Sequence, residues 1–213
     1  MNTAWKDLVA GRTDVSLNLS PVSWDFMCLP SPINPGNGWE CFSKRFELSL
    51  KENGFSTELA RALARAAREM AENVWNHSGD TDETPAPGAI AYYVEDKVMA
   101  YAVADVGRGI LRSLQSEGKG DDLSSAREAL GAAIQQHRTR RVGFTEGDGF
   151  NQVFRSLADL NGVLRFRTGD AALHVIGTAE QRNFDYRPSP TMSGFQLSIH
   201  CSPASNSSPI YRL

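Results

Sequence analysis

A chain of 213 residues, 41% hydrophobic and 22% charged, is long enough for one globular domain with its own core. A formal charge of -3 leaves no basic surplus for a nucleic-acid surface, and the longest apolar stretch, Val98 to Ala104, falls far short of the roughly 20 residues a membrane helix needs. The three cysteines, Cys28, Cys41 and Cys201, are odd in number and form no CxxC pair, which argues against a disulfide frame or a zinc site and fits reduced thiols in a cytoplasmic protein.

Residues 1 to 38 are the least legible part. The N-terminus shows no apolar signal-peptide core. Val15 to Leu19 alternates apolar and polar, and Val22 to Leu29 is apolar-rich, so either suits a strand. The region leaves three roles open: a partner-binding arm, a strand shared in a homodimer, or an edge strand. Pro30 to Gly38 reads as a loop. Trp39 to Lys51 predicts a helix that Asn53-Gly54 ends. Ser56 and Thr57 are candidate caps for the next helix, where Leu59, Leu63, Ala67, Met70 and Val74 make one apolar stripe. That helix should stop near Ser78-Gly79-Asp80. Ala89 to Val94 and Val98 to Ala104 predict a hairpin around Glu95-Asp96-Lys97. Gly107 to Gly120 reads as irregular, and Leu123 to about His137 as a helix. Gly143 to Gly149 predicts a glycine-rich loop opening a helix from Phe150 to Leu160. Asn161-Gly162 reads as a turn. Val163 to Arg167 and Leu173 to Ile176 predict two strands around Thr168-Gly169-Asp170, and Gly194 to His200 a last one. The tail from Ser202 reads as loose. This order is no regular strand–helix alternation. It predicts an α/β (α+β) two-layer sandwich with a mixed, mostly antiparallel sheet covered on one face by helices.

Three segments carry residues suited to chemistry. Glu69 and Asn73 are four apart on one helix, on a flank about 100° from the buried stripe, and His77 continues their line. A carboxamide oxygen is a hard ligand for Mg²⁺, and a carboxylate can orient or deprotonate a nucleophile. Taken alone, such a pair is usually just solvated. Asp105-Val106-Gly107-Arg108-Gly109-Ile110 follows an apolar strand directly. An Asp there can accept a hydrogen bond from an exocyclic amine, and the glycines let the backbone turn and approach a flat ring. Gly147-Asp148-Gly149-Phe150 opens a predicted helix, where exposed N–H groups make an anion site. No P-loop or complete dinucleotide fingerprint is present.

In their order, these segments resemble the GHKL family of ATP-binding domains, which share the Bergerat fold. Glu69 through His77 looks like the family's N box, Asp105 through Ile110 like its first glycine box, and Gly147 through Phe150 like its second. The resemblance covers about residues 40 to 200, with an extension at 1–38 and a tail from 201. It implies ATP and Mg²⁺ as ligands. Glu69 would be the catalytic base, Asn73 the Mg²⁺ ligand and Asp105 the adenine reader. Gly107, Gly109 and Ile110 would shape the adenine pocket. Gly147, Gly149, Phe150 and His77 would line the nucleotide site, with the glycines at the phosphates. Residues 111 to 146 would form a lid, with Arg138, Arg140 and Arg141 in it. The family's closing Gly-Thr is Gly194-Phe195 here, so that polar contact must come from elsewhere or be missing.

Within the family, Phe46 through His77 resembles the small stand-alone serine kinases of anti-sigma factors. That implies phosphorylation of a small regulatory partner protein in bacterial signalling. The alternatives are an ATPase or ATP-gated switch without phosphotransfer, and a non-catalytic interaction module.

Overall fold

A computed structural model describes residues 21–29, 38–79, 84–135, 161–177 and 182–202. The elements in chain order are β1 (Trp24–Leu29), α1 (Gly38–Glu52), α2 (Thr57–His77), β2 (Gly88–Glu95), β3 (Val98–Asp105), α3 (Gly109–Ser116), α4 (Ala126–Gln135), β4 (Asn161–Gly177) and β5 (Arg182–Ser202). The five strands form one sheet in the order β1-β2-β3-β5-β4. The molecule is an α+β two-layer sandwich. Every described pairing is antiparallel. β3 and β4 run the same way, but β5 lies between them, so the mixed sheet that was expected has no parallel pair here.

The side-chain rows explain the layers. Met27, Ile90, Val103, Leu197 and Phe166 stand in register across all five strands, and four of them are buried. The next row on that face runs Asp25, Tyr92, Tyr101, Ile199 and Leu164. Alternation sends the intervening residues to the other face. There Trp24 pairs with Tyr93, and both are exposed.

α1 buries Phe42, Phe46 and Leu50, spaced by four, against the inner rows. Phe46 stacks on Tyr92 at 4.6 Å between ring centroids. Of the predicted stripe, α2 buries Leu63, Ala67, Met70 and Val74, while Leu59 packs partly buried against the same core. Its start is fixed by Ser56, whose hydroxyl accepts from the Leu59 N–H at 3.2 Å. β1 is held by the Asp25–Arg45 ion pair to α1 and by pairing to β2, so part of the 1–38 segment is an edge strand. The hairpin turns through Asp96 and Lys97, both at positive φ (49° and 65°), the geometry that matches a two-residue turn to strand twist.

Several expectations change. Residues 109 to 116, expected to be irregular, form α3, because Ile110, Leu111 and Leu114 pack on α4. α4 begins at Ala126 rather than Leu123. Ser125 caps the Glu128 N–H at 3.2 Å, and Glu128 reaches back to the Ser124 N–H at 2.7 Å. Asn161-Gly162 is strand rather than turn. The two strands expected around Thr168-Gly169-Asp170 are one strand, β4, with a bulge there. β5 starts at Arg182, twelve residues before Gly194, and pairs that stretch with β4 alone. The candidate strand at Val15 to Leu19, the helix from Phe150 to Leu160 and the tail beyond Ser202 lie outside the described residues. No described helix is long and apolar enough to cross a membrane.

Candidate functional site

The site is built where the C-terminal end of β3 meets the last turn of α2. β3 delivers Asp105, only 3% exposed, at the edge of the core. Its Oδ1 accepts the Gly107 N–H at 2.7 Å. Its Oδ2 is buried and has no hydrogen-bond partner. Burial pushes the Asp105 carboxyl up to about 6, and the backbone N–H groups of Gly107 and Phe195 pull the other way. A carboxylate oxygen held dry without a donor is costly, and such a group is usually completed by a ligand or water.

The glycines around Asp105 serve close packing. A Cβ on Gly107 would stand 2.0 Å from the Ser78 carbonyl oxygen. Gly107 therefore lets the chain after β3 pass against the end of α2, so its missing side chain faces protein backbone. The contact is sealed by the Arg108 N–H to Ser78 O at 2.9 Å and by Arg108 Nε to His77 O at 2.9 Å. Gly194, at φ 70°, backs directly on Asp105, where a Cβ would come within 2.4 Å of Oδ1. Gly109, at φ 74°, sits against Thr168 Oγ1 and the Gly194 carbonyl, and begins α3. Ile110 donates its N–H to Thr168 Oγ1 at 3.2 Å.

Glu69 and Asn73 lie half-buried on the α2 flank beside the core stripe. The charge of Glu69 reaches Tyr101 on β3, where burial, the thiol of Cys201 and Glu69 all raise the phenol. Asn73 Nδ2 lies 3.9 Å from Met70 Sδ, a weak contact on its amide side. His77, the last residue of α2, pairs through Nδ1 with Glu117 Oε1 at 2.7 Å. Glu117 also pairs with Lys119 at 2.6 Å, and these partners, His77 first, hold its carboxyl down at about 2. The His77 imidazole is thus tied to the residue that follows α3.

The structure brings His77, Asp105, Gly107, Gly109 and Ile110 into one joint. Gly147, Gly149 and Phe150 lie outside the described residues, as do Arg138, Arg140 and Arg141. Of the range 111–146 expected as a lid, residues 136–146 lie outside the described residues. Residues 111–116 and 126–135 belong to α3 and α4, whose Leu114, Leu130 and Ile134 are buried. The residue that sequence reasoning missed is Thr168. It is 1% exposed, on β4, and its hydroxyl donates to the Gly194 carbonyl at 2.8 Å. Phe195 turns its ring onto Phe166 in the core, and its backbone N–H faces Asp105. No protein-family model matches the chain, and no curated protein matches it.

Proposed function

We propose that this chain binds ATP with Mg²⁺ in a Bergerat-type pocket at the junction of β3, α2 and α3, and serves as a regulatory serine/threonine protein kinase for a small partner protein in bacterial signalling. The supporting observation is the Asp105 carboxylate, with one oxygen satisfied by Gly107 and the other buried without a donor. An exocyclic amine such as that of adenine supplies the missing hydrogen bond. The donor set of α2 fits the rest. Asn73 offers a carboxamide oxygen suited to Mg²⁺, and Glu69, one turn earlier, a carboxylate suited to an acceptor hydroxyl. By the resemblance, Gly147 and Gly149 would meet the phosphates, and Phe150 and His77 would line the nucleotide site. When bound, ATP supplies the phosphoryl group and Mg²⁺ offsets the charge on its oxygens.

In this reading Asp105 fixes the base, the Gly107–Ser78 contact fixes α2 against β3, and Glu69 takes the proton of the acceptor hydroxyl. The kinase assignment, ahead of an ATPase or switch, rests on the resemblance of Phe46 through His77 to stand-alone serine kinases, and the cytoplasmic setting rests on three cysteines with no CxxC pair. The test is incubation with γ-labelled ATP, Mg²⁺ and small proteins encoded beside this one. Label on a partner Ser or Thr, lost in Glu69→Ala, is expected. Free phosphate with no labelled protein contradicts the kinase assignment and leaves an ATPase.

A further inference from the structure

Thr168 stands apart from every motif read in the sequence, yet its hydroxyl joins three backbones at the site. It donates to Gly194 O on β5 at 2.8 Å and accepts from Ile110 N at 3.2 Å, in the first turn of α3. It sits at the β4 bulge, where register shifts between Thr168 and Gly169. The first turn of a helix leaves N–H donors without partners, and Arg108, the N-cap of α3, makes no side-chain capping bond. Thr168 supplies that cap from a residue 58 positions away. Gly194, the other backbone it holds, presses on Asp105 so closely that no side chain fits between them. The bond to Gly194 is buried and the bond to Ile110 partly so, and Thr168 itself is 1% exposed.

We infer that Thr168 is a positioning residue for base recognition: its hydroxyl clamps Gly194 and Ile110, and so holds the unpaired Asp105 oxygen toward a ligand's exocyclic amine. The inference rests on the nucleotide reading above. Without the hydroxyl, the Gly194 carbonyl and the Ile110 N–H lose their partner. The strand behind Asp105 and the helix beside it are then free to shift, and Asp105 can turn its second oxygen onto a backbone donor. Selectivity suffers first. An amine at the reading position is favoured only while that oxygen stays unpaired, and a carbonyl at the same position, as in guanine, is repelled by it.

The test is calorimetric titration of Mg·ATP and Mg·GTP into the full chain and its Thr168→Val and Thr168→Ser variants. Valine keeps the shape and removes the hydroxyl, whereas serine keeps the hydroxyl and removes the methyl. The wild type is expected to favour ATP. Valine should weaken ATP about tenfold, the effect of one buried hydrogen bond, with little change for GTP. Serine should keep the ATP-over-GTP ratio even where its melting temperature falls. A valine variant with an unchanged ratio overturns the inference, as does one that loses both nucleotides equally. Should valine fail to fold by circular dichroism, serine carries the test, and a folded serine variant without selectivity overturns it. A wild type that takes up neither nucleotide overturns the nucleotide reading, and the inference with it. A wild type that binds ATP while valine matches it overturns the inference alone.

Discussion

At the scale of single residues, Asp105 sets the strongest expectations. Its carboxyl is raised from 3.8 to about 6 because the group is buried with one oxygen unpaired. A raised folded-state value means that the fold is favoured fully below pH 3.8 and loses that stability as pH rises through about 6. Asp105→Asn removes the charge and should stabilise the fold at pH 7.5 by an amount on the order of 2 kcal/mol, read as a higher melting temperature, with little gain at pH 4. The ligand calls for the opposite. An ionised Asp105 accepts from an amine, so ATP affinity should fall below pH 6, about tenfold per unit. Binding measured from pH 5 to 8 checks this, and a flat profile would contradict it. Gly194→Ala meets both a positive φ and a backbone oxygen 2.1 Å away, so a loss of several kcal/mol is expected, of order 3, by denaturant titration. Asp105 was legible because it ends an apolar run just before two glycines. Thr168 was not, because its partners lie 26 and 58 residues away and only the bulge brings them together. Gly107 was legible as a close approach, but its neighbour is the end of α2.

Among the elements, those with strong periodicity were read closely. α1 and α2 carry apolar residues at spacings of three and four, and the β2–β3 hairpin alternates around a two-residue turn. α3 was hidden by its length of eight residues and by glycines on both sides. The first half of β5 carries Pro188 and Pro190, which lack the N–H that a ladder needs. They are tolerated because that half of β5 pairs on one edge alone, with β4. α4 covers this extended β4–β5 ribbon through Ala126, Leu130 and Ile134. Leu130 is fully buried within the main core. Leu130→Ala should therefore cost about 2–5 kcal/mol in chemical denaturation. A cost below about 0.5 kcal/mol, the size of a neutral surface change, would show that α4 is not docked there. Ser56→Ala removes the cap of α2 and should cost about 1 kcal/mol, with circular dichroism reporting frayed helix.

Over the whole molecule, one face of the sheet carries α1 and α2 and the other carries Trp24, Tyr93 and a row of small residues at Ala100, Ala102 and Ala104. The fold class was legible because the order of elements excluded a doubly wound sheet. The role of β1 was not, because an edge strand has one partner and little periodicity to announce it. Half of the candidate site was legible as motif, and the structure shows how a helix end, a strand end and two glycines converge on one carboxylate. In the proposed function this carboxylate reads an adenine. Titration calorimetry at pH 7.5 with Mg·ATP, on the wild type and on Asp105→Asn, tests it most directly. Saturable one-to-one binding by the wild type is expected, with at least a tenfold loss, about 1.4 kcal/mol, in a variant that remains folded. No heat of binding in the wild type, or equal affinity in the two chains, would contradict it.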